Sequence, residues 1–288
     1  MKVGVSIIPS SLNEDLKIVE RLISQGIRMI AISDYYKAAN PFVLLQNLNE
    51  NFKGLILGTA VTNLLIREPN FLADFFNSQL VKDSNSFFLG IGAGDWSLLK
   101  IKNLTPREAI QLLSKGLVYI KNRLKRDVKI YVGAQGIKTL SMIEVVDGLI
   151  INLASVKDIQ VALNYLGERK NKEVYVIAQT FVGNESIEFA RKSAVIIYAG
   201  LGNSSIELYG FEKTKRDLLR TLIEKGEIQK ARRLLSVDDV KRVTICGTVE
   251  EVRERISEIF DLGIDGFIIG MPMGKEKYQT LENIHLLL

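Results

Sequence analysis

Short runs of β-branched and aliphatic residues recur along the chain, and apolar positions at helical spacing fall between most of them. The strand-like runs are 3–8, 29–32, 55–60, 87–91, 128–132, 149–152, 174–179 and 266–269. Amphipathic helical spacing covers 15–24, 106–124, 156–166 and 249–262. Start signals agree with these assignments. Thr105-Pro106-Arg107-Glu108 sets a cap residue before a proline, and Thr248 precedes Glu250 and Glu251. Gly26, Gly148 and Gly263 read as C-terminal helix punctuation. Strands alternating with helices predict parallel pairing and right-handed crossovers. Eight such units in 288 residues fit an α/β fold of the (β/α)8 TIM-barrel type better than an open sheet. No linker interrupts the pattern, so residues 1–288 read as one barrel domain. The long interval 183–264 then holds a helical insertion between strands seven and eight.

Composition narrows the class. Hydrophobic residues make up 47% and charged residues 25% of the chain, which is ordinary for a globular protein. The apolar runs are far shorter than the ~20 residues a membrane helix needs. The opening MKVGVSIIPSS is followed at once by Asn13, Glu14 and Asp15, and reads as a first strand, not a signal segment. A single cysteine, Cys246, leaves no internal disulfide and no cysteine-cluster metal site; the expected metal content is none. A soluble, cytoplasmic protein is the expectation. The net charge of +5 owes much to residues 212–242, where Lys213, Lys215, Arg216, Arg220, Arg232 and Arg233 alternate with acids at helical spacing. That pattern reads as a solvated helix face, or at most a hold on an anionic tail. Nucleic-acid binding is not expected, because the charge forms no single-sign stripe.

In a (β/α)8 barrel the ligand site lies at the C-terminal strand ends. Strand three runs LILGT and then becomes Ala60-Val61-Thr62-Asn63, exchanging bulk for small, hydroxyl and amide residues. Strand two ends Ser33-Asp34-Tyr35-Tyr36, strand four Gly92-Ala93-Gly94-Asp95-Trp96, and strand five Gly133-Ala134-Gln135-Gly136. Several Gly-rich ends on one rim predict a wide, flat site in which backbone amides approach a phosphate or a planar ring. The competing reading is structural: Asp34 and Asp95 as helix caps, Tyr35 and Trp96 as rim packing, and Gly92 and Gly94 as room for close contacts.

The segments GTAVTN, LGIGAGD, IYVGAQG, DGLIIN and GTVEEVRERISE…LGIDGFIIGMPMG follow one another along most of the chain. Together they resemble the bacterial-luciferase-like superfamily, and within it the archaeal deazaflavin-dependent methylenetetrahydromethanopterin reductases. The resemblance implies a barrel holding coenzyme F-420 and an oxidoreductase that moves a hydride between reduced F-420 and a small organic or pterin-type acceptor. It also implies a non-prolyl cis peptide at Ala60–Val61, in a bulge against the deazaflavin ring. Asp34 matches the acid at the ring edge, and Thr62 and Asn63 match residues beside the bulge. Ala134, Gln135, Gly136 and Ile137 match the strand-five end near the ribityl phosphate, and Asp95 the acid near the substrate. Two positions depart from the pattern: Ser6 stands for a glutamate on strand one and Tyr35 for a histidine after strand two.

Two alternatives share the barrel: an FMN-dependent luciferase-like monooxygenase, and a flavin-binding relative without chemistry. The expected partners are a small-molecule substrate and further copies of the chain in a homo-oligomer, with neither nucleic acid nor membrane. His285, close to the C-terminus, reads as packing or surface.

Overall fold

The computed structural model describes residues 2–80, 84–125, 127–270 and 284–287. The strand–helix alternation is that of a (β/α)8 TIM barrel, the fold read from the sequence. The chain packs as two compact units, residues 2–134 with 142–150 and residues 135–141 with 151 onward.

The N-terminal unit contains β1 (Lys2–Ile7), β2 (Met29–Ile32), β3 (Ile56–Asn63), β4 (Ser86–Gly92) and β5 (Val128–Ala134), each paired in parallel with the next. Every residue of β2 is buried, as expected of a central parallel strand covered on both faces. Helices α1 (Leu12–Ser24), α2 (Pro41–Asn51), α3 (Pro69–Gln79), α4 (Trp96–Ile101) and α5 (Pro106–Arg123) alternate with them. Helix α1 buries Ile18, Val19 and Leu22, an i, i+1, i+4 stripe, and stops at Gly26, whose φ of +87° suits glycine. The cap at α5 forms as predicted: Thr105 Oγ1 accepts from the Glu108 N–H, and the Glu108 carboxylate accepts from the Thr105 N–H at 2.7 Å. Gly148, by contrast, opens β6 (Gly148–Asn152) instead of closing a helix. A 3-10 turn over Ser141–Val145 occupies the preceding residues.

The C-terminal unit holds α6 (Ile137–Leu140), α7 (Val156–Leu166), β7 (Glu173–Val182), α8 (Ser186–Gly200), α9 (Asn203–Tyr209), α10 (Lys213–Glu224), α11 (Ile228–Leu234) and α12 (Val237–Val243). It continues through β8 (Ile245–Gly247), α13 (Val249–Asp261) and β9 (Gly266–Gly270). Strand β7 pairs in parallel with β9, from Tyr175 opposite Gly266 to Gln179 opposite Gly270. Its C-terminal end pairs instead with β8. The insertion is therefore α8–α12 capped by β8, a three-residue strand too short to show a period in sequence. Arg242 on α12 ties this unit internally: its guanidinium donates to both oxygens of the buried Asp158 on α7, at 2.8 and 2.9 Å, and stacks 3.7 Å from the Phe211 ring. The end of the last sequence motif, 271–274, lies outside the described residues.

Candidate cofactor and active site

Strand β3 does not stop at residue 60; it runs on through Asn63 with a dislocation. Its pairing with β4 holds from Ile56 opposite Ser86 to Thr59 opposite Leu89, shifts, and resumes with Thr62 opposite Ile91. The peptide bond between Ala60 and Val61 is cis, at the position the family resemblance implies. The bulge has a definite seat. A Cβ on Gly92 would lie 2.9 Å from Val61 Cγ2, and one on Gly133 3.1 Å from both Val61 methyls. Beyond it, a Cβ on Gly94 would meet Leu65 Cδ1 at 2.5 Å, and one on Gly116 would meet Leu64 Cδ1 at 2.0 Å. Sequence reading took the glycines at these strand ends as approaches for a flat ligand. Gly92, Gly94 and Gly133 receive the side chains of β3 and its loop, as the close-packing alternative raised for Gly92 and Gly94 describes.

Behind the bulge, polar groups are paired off. Ser6 and Ser33 share a hydroxyl hydrogen bond of 2.8 Å, and Ser33 Oγ donates to the Ala60 carbonyl at 3.0 Å. The position where a glutamate was expected thus supports the bulge through a second serine. Asp34 is buried, and both of its oxygens are occupied. Arg67 donates Nε to Oδ2 at 2.8 Å and Nη2 to Oδ1 at 2.9 Å, and Thr62 Oγ1 donates to Oδ2 at 2.7 Å. The hydrogen bond to Asp34 raises the guanidinium pKa of Arg67. Asn63 is engaged locally, its Oδ1 accepting from the Leu65 N–H at 3.1 Å. Within this unit Asp34, Ala60, Val61, Thr62 and Asn63 therefore form one interlocked group.

Asp95 is exposed and caps α4. Its Oδ1 accepts from the Leu98 N–H at 2.9 Å and from the Ser97 hydroxyl at 2.6 Å. Tyr35 is 42% exposed and packs edge-on against Tyr36, with ring centroids 5.1 Å apart. Partial burial, then the neighbouring Tyr36, raise its phenol pKa, and Asp95 adds a smaller push in the same direction.

In the C-terminal unit the strand-five loop folds on itself. The amides of Gln135 and Gly136 lie 3.2 and 3.4 Å from Thr139 Oγ1, and Gln135 Nε2 donates to the Asn152 carbonyl at 3.2 Å. A Cβ on Gly136 would stand 2.3 Å from Ser204 Oγ and 2.9 Å from Ser205 Oγ, so here too glycine permits contact with protein. Ile137 begins α6 and is half-buried. The basic insertion is partly paired with acids and partly turned inward. Lys213 pairs with Asp217, Lys215 with Glu212 and Asp239, and Lys230 with Glu227, as a solvated face would. Arg232 donates to the Glu188 carbonyl, while Arg216 is turned inward and only 3% exposed.

Sequence reasoning missed Arg67 as the partner of Asp34, although its place shortly after GTAVTN was a usable signal. It also missed Gln179, a lone amide within the apolar β7, whose Oε1 is buried without a hydrogen-bond partner among the described residues.

A model of the luciferase-like monooxygenase family matches residues 106–266. The chain belongs to that family. A 5,10-methylenetetrahydromethanopterin reductase from Methanolobus tindarius is 25% identical over 99% of this chain and 98% of its own length. Among solved structures, the coenzyme F-420-dependent tetrahydromethanopterin reductase of Methanopyrus kandleri superposes with a TM-score of 0.81 at 19% identity, covering 99% of this chain and 97% of that one. An F-420-dependent secondary alcohol dehydrogenase bound to an F-420–acetone adduct superposes with a TM-score of 0.74 at 14% identity, covering 100% and 98% of the two chains. Both superposed structures share the fold of this chain. Among the described residues no helix is long and apolar enough to cross a membrane.

Proposed function

We propose that the protein is an F-420-dependent oxidoreductase that exchanges a hydride between the deazaflavin and a pterin-type or other small organic acceptor, methylenetetrahydromethanopterin being the first candidate. The observation that carries this reading is the β3 bulge: a small-residue step, Ala60-Val61, backed by glycines and by the Ser6–Ser33 pair. These residues fit a planar cofactor. Ala60 and Val61 offer a step with no bulky group, and the Gly92 and Gly133 seats keep it from yielding when a ring presses on it. The strand-five loop, Gln135 to Ile137, stands beside the Ser204 and Ser205 hydroxyls, donors of the kind that take a phosphate, and carries no carboxylate.

When bound, F-420 supplies the hydride; the chain supplies placement and electrostatics. Asp34, with both oxygens held by Arg67 and Thr62, acts by fixing the bulge that would face the ring. Asp95 is the carboxylate assigned to the acceptor, stabilising positive charge as it develops there; its second oxygen is not used by the cap. Tyr35, protonated at neutral pH, stands in for the family histidine as a hydroxyl donor at the same rim. The two relatives whose names specify F-420 reduction of a pterin or dehydrogenation of an alcohol support the deazaflavin over FMN. Anaerobic mixing of the protein with reduced F-420 and methylenetetrahydromethanopterin tests the reading: return of the oxidised deazaflavin absorbance is expected. Reoxidation that requires oxygen would favour the monooxygenase class.

A further inference from the structure

The turn between α8 and α9 is held by two arginines from α10. Arg216 Nη1 donates to the Leu201 carbonyl at 3.1 Å and to Asn203 Oδ1 at 2.8 Å. Arg220 donates Nε to the Ala199 carbonyl at 2.7 Å and Nη2 to the Leu201 carbonyl at 3.1 Å. Burying a guanidinium costs free energy unless its donors are satisfied, and many helices close with a single glycine alone. Two arginines on one short turn call for another reason than ending α8.

The turn leads directly into Ser204 and Ser205, whose hydroxyls crowd the position a Gly136 side chain would take. Around that loop stand the two serine hydroxyls, Ser205 being only 3% exposed, while the Thr139 hydroxyl and the amides of Gln135 and Gly136 are already paired with one another. Arg216 is paired with Asp217 at 2.7 Å. Burial and the nearby Arg216 together lower the Arg220 pKa, as two adjacent cations should.

We infer that Arg216 is a positioning residue: through Leu201 and Asn203 it holds Ser204 and Ser205 against Gly136, and so sets the affinity for the phosphate of the bound cofactor without touching phosphate or ring. This rests on the strand-five loop being the phosphate end of the site, as proposed above. It places the control of binding in the helical insertion, on a residue remote in sequence from every motif of the barrel rim.

The test compares binding of phosphorylated and phosphate-free ligands by calorimetry: F-420 against its phosphate-free riboside, and FMN against riboflavin. In Arg216→Gln the phosphorylated member should bind about tenfold more weakly, ~1.4 kcal/mol, with the phosphate-free member unchanged within about twofold. Asn203→Ala leaves the buried guanidinium in place and should shift the same ratio by about threefold. If Arg216→Gln does not fold, Asn203→Ala decides alone. Equal losses for both members of a pair, or no loss, would overturn the positioning role. A wild-type protein that prefers FMN would overturn the deazaflavin reading, while the FMN-to-riboflavin ratio would still test Arg216. Binding of none of the four ligands would overturn both.

Discussion

The guanidinium of Arg67 grips Asp34 at two points, 2.8 and 2.9 Å, over a carboxylate whose side chain is 1% exposed. Only a planar fork satisfies both oxygens in this way. Removing it in Arg67→Ala leaves a buried carboxylate with Thr62 as its remaining side-chain donor, and should destabilise the fold by about 3 kcal/mol. Arg67→Lys keeps the charge without the fork and should recover part of that loss. Urea unfolding of the three proteins measures it; a change below about 0.5 kcal/mol in Arg67→Ala would mean the pair is a surface contact in effect.

The seat of Val61 gives a steric prediction. Gly133→Ala places a methyl 3.1 Å from both Val61 methyls and should cost about 1–3 kcal/mol through overpacking. Val61→Ala removes those methyls, so the double variant should regain most of the stability and cofactor affinity lost in Gly133→Ala. Additive losses in the double-mutant cycle would show that Gly133 serves something other than Val61.

The sequence made the barrel legible because its short apolar strands recur between helical stretches, and because the caps at Thr105 and Thr248 fall where both period and residue type point. It hid β8, whose three residues cannot establish a period. The rim was legible as a group but not in its internal pairing. Small residues at strand ends read equally as ligand space or as room for side chains, and only the packing of Val61, Leu64 and Leu65 separates the two. The inward Arg216 was hidden for a similar reason: it sits among lysines and acids of an amphipathic helix, and nothing local separates a buried arginine from a solvated one.

Alkaline pH should destabilise the protein. Burial raises the folded-state pKa of Cys246 above its ordinary 9.0, and those of Tyr198 and Tyr209 above 10.0. Below those ordinary values both folded and unfolded states hold these protons, and the stabilisation is fully present. As pH rises through them the unfolded state loses protons first, and stability falls until the folded-state values are passed. The urea midpoint should therefore decline from about pH 9 upward. Alkylation of Cys246 in the folded protein should also be slow at pH 9, because the thiolate is disfavoured and the residue is buried. A flat urea midpoint and rapid alkylation would contradict this.

Asp95 separates two roles by substitution. As the cap of α4 it tolerates Asn, whereas Asp95→Ala should cost about 1 kcal/mol. As the carboxylate facing the acceptor it does not tolerate Asn: Asp95→Asn should hold wild-type stability and F-420 affinity yet slow single-turnover hydride transfer by about 10²-fold. Stopped-flow absorbance of the deazaflavin reads the rate. An unchanged rate in Asp95→Asn would reduce the residue to its cap.

The central claim is that the seated bulge of β3 makes this a deazaflavin site. Calorimetric titration of the purified protein with F-420 and, separately, with FMN tests it most directly. The account predicts that F-420 binds at least about tenfold more tightly, a difference of ~1.4 kcal/mol or more. It also predicts that Gly133→Ala weakens F-420 binding and that adding Val61→Ala restores it. FMN binding tenfold more tightly than F-420 would contradict the account and place the protein with the flavin monooxygenases of its family.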